Sequence, residues 1–214
     1  MKRETWLKKI LPGMKDEFLR RWESPWDEVR AAWLAHGYGN LSVWTVDDFA
    51  FGYYEIADGA APSDADKATL ARWDTYMEDV TKTIAKPGEM RRMYHDIGIV
   101  REDKSLIRHR VFGTILKPGC AQKYYDRHKA LIDARGDRVS EGPESNFTIW
   151  CANDTYIFGY CELVKSFDRE MTDEEKETTI AWETRQLEIM DWLTDDVDWI
   201  TGDNHPAIHR AFQM

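Results

Sequence analysis

Cysteine is scarce in this chain: three residues in 214, Cys120, Cys151 and Cys161, with no Cys-x-x-Cys pair among them. Such a set cannot complete a disulfide framework or a zinc ribbon, so free thiols in a reducing cytoplasm are expected. Long apolar runs are missing as well. Nothing approaches the roughly 18 residues of a membrane-spanning helix, and the charged start, Met1 to Lys9, lacks the apolar stretch of a signal peptide. Basic charge is in deficit, with 29 Lys and Arg against 39 Asp and Glu and a net charge of −10. That balance argues against nucleic acid and anionic membrane as partners and for a neutral or small ligand. No GxGxxG, phosphate-binding loop or GxSxG occurs, which removes support for nucleotide and acyl-transfer chemistry. His36, His95, His109, His205 and His209 show no metal-ligand spacing, apart from His205 and His209, and Pro206 disrupts that helical pair. No metal and no cofactor are expected.

What the chain does have is a repeat. Asn40-Leu41-Ser42-Val43-Trp44 returns as Asn146-Phe147-Thr148-Ile149-Trp150, and Phe51-Gly52-Tyr53-Tyr54-Glu55 returns as Phe158-Gly159-Tyr160-Cys161-Glu162. Pro12-Gly13 recurs at Pro118-Gly119, and Trp73 recurs at Trp182. The sequence is a tandem duplication of one domain, which places residues 1–100 in a first repeat, 101–108 in a linker and 109–214 in a second repeat. Agreement between the copies reports on the fold, and disagreement reports on function gained or lost.

Both copies read as βαββαβ. In the first, the pattern predicts a strand over 5–11, a helix over 14–35, hairpin strands over 40–45 and 49–56, a helix over 64–84 and a closing strand over 90–97. In the second, it predicts strands over 110–116, 147–151, 155–163 and 207–213, with helices over 121–135 and 173–193. Ser63 and Thr172 stand where helix caps are needed. This order gives two ferredoxin-like α+β domains, each with both helices on one sheet face. The open faces need cover, and the other copy can supply it. Packing of that kind would make an α+β barrel within one chain, an intrachain pseudo-dimer, with a homodimer as the alternative pairing. The ten Trp residues suit such an interface or a lined pocket.

The copies disagree most on the first helix. Phe18 and Trp22 of copy one become Tyr124 and His128 in copy two, one turn apart on a shared face with Tyr125, Leu131 and Ile132. A core position that accepts Trp in one copy has no structural need for His in the other. Histidine suits proton transfer because its ordinary pKa is near 6.5. Arg127 beside it would disfavour the imidazolium, although it points to another side of the helix. Asn40-Leu41-Ser42 and Asn146-Phe147-Thr148 also match glycosylation sequons, unused in a cytoplasmic chain.

Pro-Gly, then Tyr124-x-x-Arg127-His128, then Asn146-Phe147 at the hairpin, then Trp182 resembles the L-rhamnose mutarotase family. Copy one resembles it too, through Phe18 to Trp22, Asn40 and Trp73. The resemblance implies a dimeric α+β barrel and a monosaccharide as the small-molecule partner. His128 would then be the general acid that protonates the ring oxygen, and Tyr124 would hold a sugar hydroxyl. Phe147 stands at a family Tyr position without the hydroxyl, Trp182 matches the first residue of a Trp-Trp pair, and Glu183 replaces the second. Copy one carries Trp22, Phe18, Leu41 and Asp74 at the corresponding places, so the live site is expected in copy two. The implied activity is interconversion of the α and β anomers of a deoxyhexose such as L-rhamnose. The alternatives are a carbohydrate-binding or sensing pseudoenzyme, or a lyase or oxygenase on the same barrel.

Overall fold

A computed structural model of the chain describes residues 1–140, 144–166, 170, 172–193 and 208–214. His205, Pro206 and Ala207 of the sequence reading lie outside the described residues. The rest forms two five-stranded sheets with helices, a mixed α+β fold.

The first repeat runs β1 (Lys2–Ile10), α1 (Lys15–Glu23), α2 (Asp27–Ala35), β2 (Tyr38–Val46), β3 (Phe49–Ile56), α3 (Asp64–Glu78), β4 (Thr81–Ala85) and β5 (Arg91–Asp96). The second runs β6 (Ile107–Leu116), α4 (Ala121–Arg135), β7 (Glu144–Ala152), β8 (Tyr156–Val164), α5 (Asp173–Leu187), β9 (Met190–Trp192) and β10 (Ile208–Gln213). Both long helices that follow the hairpins begin at capping boxes. The Asp66 N–H donates to Ser63 Oγ at 3.2 Å while the Ser63 N–H donates to Asp66 Oδ2 at 2.9 Å. Thr172 and Glu175 repeat the exchange at 3.2 and 2.8 Å.

Three helices are shorter than the sequence pattern predicts. The helix expected over 14–35 breaks into α1 and α2 at Ser24-Pro25-Trp26, because proline lacks an N–H and pushes the preceding residue out of the α region. The helices expected over 64–84 and 173–193 stop at Glu78 and Leu187, and the chain turns straight into β4 and β9. Thr81, Thr83 and Ile84 are β-branched and suit an extended backbone.

These short strands complete the ferredoxin-like order. In the first sheet β4 pairs with β1, β1 with β3 and β3 with β2, all antiparallel, the 4-1-3-2 arrangement. The second sheet matches it with β9, β6, β8 and β7. The strand over 91–96 does not close its own repeat as expected. It pairs antiparallel with β7, while β10 joins β2 in the first sheet. Each repeat's last strand therefore covers the exposed edge of the other repeat's sheet, which removes a row of unpaired backbone groups. The compact units are accordingly Met1–Met90 with His209–Met214, here unit 1, and Arg91–Ile208, unit 2.

The repeated Phe-Gly-Tyr has a steric cause. A Cβ on Gly52 would lie 2.0 Å from the Trp6 ring of the neighbouring strand, and one on Gly159 would lie 1.9 Å from Phe112. The repeated Asn marks a bulge: Asn40 and Asn146 hold φ of 50° and 51°, and the β2–β3 and β7–β8 registers slip there. Both asparagines are buried, which leaves the sequons no room for a glycan. Gly159→Ala should therefore lower the unfolding free energy by about 1–3 kcal/mol through overpacking against Phe112. Gly39→Ala, where a Cβ meets nothing within 4 Å, should change it by no more than about 0.5 kcal/mol. Parallel denaturant titrations compare the two, and equal losses would contradict the packing account.

Candidate functional site

Unit 2 holds a cavity of about 330 Å³ between α4, α5 and the helix-facing side of its sheet. Tyr124 and His128, one turn apart on α4, line it together with Phe147 from β7 and Trp182 and Glu183 from α5. All five residues singled out in the sequence thus meet in one place. The bulge at Asn146 helps bring this about. By spending an extra residue, β7 turns Phe147 and then Ile149 toward the helices while Thr148 faces the opposite side.

The imidazole of His128 sits in a box of rings. Tyr124 stacks on it at 4.2 Å between centroids, Trp182 meets it edge-on at 5.3 Å, and Tyr94 meets it edge-on at 5.5 Å. Tyr94 in turn touches Phe147 at 5.3 Å. His128 Nδ1 lies 2.9 Å from the carbonyl oxygen of Tyr124, which can only accept, so Nδ1 carries the hydrogen and Nε2 keeps its lone pair in the neutral ring. Burial pulls the His128 pKa down from 6.5 to about 4, against the opposing pull of that hydrogen bond; the nearby Arg127 charge lowers it further. Arg127 itself faces away, donating to the Arg185 carbonyl and to Glu188 at 2.6 Å. Burial raises the phenols, Tyr94 to about 12 and Tyr124 still further, so both remain protonated hydrogen-bonding groups. At neutral pH the cavity offers a neutral imidazole base beside two phenols.

Two lining residues escape a sequence reading of the second copy. Tyr94 belongs to the first repeat and arrives on the exchanged strand β5. Gln186 lies one turn beyond Trp182 on α5, 2% exposed, and neither atom of its amide finds a hydrogen-bond partner among the described residues. The repeat offered a signal for Gln186, since Met77 fills that place in copy one, but nothing local could have revealed Tyr94.

Unit 1 keeps the same frame with other occupants. Trp22 replaces His128, Phe212 on β10 lies 5.5 Å from it as Tyr94 does from the imidazole, and Trp73 meets it edge-on at 5.5 Å.

A family model for L-rhamnose mutarotase matches the chain twice, over residues 3–96 and 110–213. The chain belongs to the L-rhamnose mutarotase family. An L-rhamnose mutarotase of Listeria monocytogenes serovar 1/2a is 30% identical over 86 residues, 39% of this chain and 83% of that protein. Its counterpart from serotype 4b is 29% identical over the same shares. Among solved structures, a putative monooxygenase of Fusobacterium nucleatum covers 88% of this chain and 87% of its own, at 12% identity and a TM-score of 0.46. The double match makes this chain two fused domains of that family, and the two copies carry different residues at the place of His128. Among the described residues no helix is long and apolar enough to cross a membrane.

The buried neutral imidazole has a thermodynamic signature. Between pH 6.5 and about 4 the unfolded chain binds a proton at His128 that the folded chain does not, so stability falls as pH falls through this window. The loss approaches about 1.4 kcal/mol per pH unit and totals on the order of 3 kcal/mol. His128→Phe should remove that component, read as a smaller difference in denaturation midpoint between pH 7 and pH 4. Gln186→Met should stabilise the ligand-free protein by about 1–3 kcal/mol, because it removes a buried amide without partners. An unchanged midpoint would show that the amide is satisfied after all.

Proposed function

We propose that the unit 2 cavity interconverts the α and β anomers of a deoxyhexose such as L-rhamnose by opening and reclosing the pyranose ring. The observation that carries this is the meeting of His128, Tyr124, Phe147, Trp182 and Glu183 around one cavity in a chain of the L-rhamnose mutarotase family. His128 Nε2 takes the proton from the anomeric hydroxyl as C1–O5 breaks and C1=O1 forms. The imidazolium then delivers that proton to the departing ring oxygen. One nitrogen serves both because the two oxygens share C1. The Tyr124 carbonyl supports the charge while it lasts, through the Nδ1 hydrogen. Rotation about C1–C2 followed by the reverse transfers closes the other anomer. General acid–base steps of this kind supply roughly 10²- to 10⁴-fold each. Tyr124 binds a hydroxyl, Trp182 and Phe147 form the apolar wall for the sugar's C–H face, and Glu183 with Gln186 clamps hydroxyls at the α5 side.

Saturation-exchange NMR between the anomers of L-rhamnose, L-fucose, D-galactose and D-glucose tests this reading. Wild type should accelerate exchange of at least one sugar, and His128→Ala should abolish the acceleration without unfolding the chain. Retained activity in His128→Ala would sink the mechanism, and binding without exchange in wild type would favour a sugar-sensing protein. Trp22→His alone should not create a second active site. Because the neutral ring starts the cycle, kcat/KM should stay flat from pH 8 to about 5 and fall by half near the His128 pKa of about 4.

A further inference from the structure

The unit 1 cavity is also about 330 Å³, although Trp22 stands where the other copy has an imidazole. A site surviving only as packing would close around the added bulk, and this one has stayed open. It has also acquired polar groups. Lys8 lines it where the second repeat has Thr114, and Tyr54 lines it where the second repeat has Cys161. Lys8 Nζ and Asp74 Oδ1 stand 4.0 Å apart, too far to satisfy each other by a hydrogen bond. The Lys8 side chain is only 17% exposed. Burial lowers its pKa, while the Asp74 carboxyl that it faces is 70% exposed. The indole N–H of Trp22 is buried with no partner among the described residues.

We propose that this cavity is a second ligand site, which binds a neutral monosaccharide, or the pyranose end of a glycoside, without opening its ring. Trp6, Trp33 and Trp73 give the apolar wall that a sugar's C–H face requires. An ammonium donor and a carboxylate acceptor 4.0 Å apart suit two adjacent hydroxyls, each of which can accept from Lys8 and donate to Asp74. The formal charges at the cavity cancel, Lys8 and Lys86 against Asp74 and Glu78, which favours a neutral ligand over a sugar acid. No histidine lines the cavity, so it lacks the imidazole that lines the unit 2 cavity. The inference does not depend on the mutarotase reading of unit 2.

Methyl glycosides, locked at the anomeric carbon, separate binding from turnover. The probes are the methyl pyranosides of L-rhamnose, L-fucose, D-galactose and D-glucose, with glucuronate as the charged control. They are titrated against the full chain carrying His128→Ala and Trp182→Ala, followed by saturation-transfer NMR. At least one neutral glycoside should still bind, and adding Lys8→Met or Asp74→Leu should raise its Kd at least tenfold. Loss of all binding in the double variant, indifference to both unit 1 substitutions, or tighter binding of glucuronate would each overturn the proposal. Should a substitution unfold unit 1, the assigned indole N–H resonance of Trp22 in the wild-type chain decides. A shift on saturation with the glycoside supports the site, and a resonance that stays put overturns it.

Discussion

Much of each unit hangs on one buried carboxylate. Glu162 has no solvent exposure; Lys104 Nζ reaches both its oxygens at 2.9 Å, Asn146 Nδ2 donates at 3.0 Å and the Tyr160 hydroxyl at 2.9 Å. In unit 1, Glu55 receives Tyr53 at 3.0 Å and Asn40 at 3.4 Å. A buried charge stripped of such partners would be strongly destabilising, so the asparagine is held where the carboxylate needs it. That place is left-handed backbone, which Asn tolerates better than other side-chain-bearing residues. The bulge it fixes sets the phase of β2 and β7 beyond it. A slip by one residue would turn Leu41 and Phe147 away from the cavities. The motif Asn…Tyr-x-Glu is thus the common cause of the fold and of the direction in which the pocket wall points.

The exchanged strands make the repeats interdependent. Unit 2 contains β5, coded by the first repeat, and Tyr94 on that strand touches both His128 and Phe147. Unit 1 contains β10, coded by the last residues, and Phe212 on it packs against Trp22 and Trp33. A first repeat without its histidine still builds an edge and a wall of the second repeat's cavity. Its retention therefore needs no catalytic explanation. The open cavity of unit 1 is a separate matter, since supplying a strand to the neighbour does not require Lys8 among tryptophans.

Local chemistry was legible in the sequence, and topology across the repeats was not. The α4 bounds, both capping boxes and the hairpins follow from helical period, Ser and Thr caps and alternating apolar residues. His128 and Tyr124 stood out because the two copies could be compared. The end of the long 14–35 helix was also readable, since Pro25 sits in its middle, but the apolar spacing of Phe18, Trp22, Val29 and Trp33 runs through both pieces and masks the break. β4 and β9 have five and three residues, too short for periodicity to separate them from the helices before them. Strand exchange leaves no local trace at all. A strand over 91–96 has the same alternation whichever sheet receives it, and Tyr94 was lost with it.

Burial of the imidazole sets what the unit 2 cavity can offer chemically. The rings that enclose His128 remove water from it, which makes the neutral form dominant and leaves Nε2 as a base whose conjugate acid is strong. A proton taken there is readily given back, and a reaction that only moves a proton between two oxygens of one carbon needs that return. The cost is carried by the fold, which must hold an unprotonated histidine down to acidic pH. Where Trp22 replaces the imidazole, continuous aromatic packing stands in its place, with Trp22 stacked on Trp33 at 5.8 Å and on Trp6 at 6.1 Å. That packing can hold a ligand's apolar face but cannot take a proton from it. The helix position of Trp22 and His128 thus decides which cavity has an imidazole, while sheets, caps and bulges stay the same.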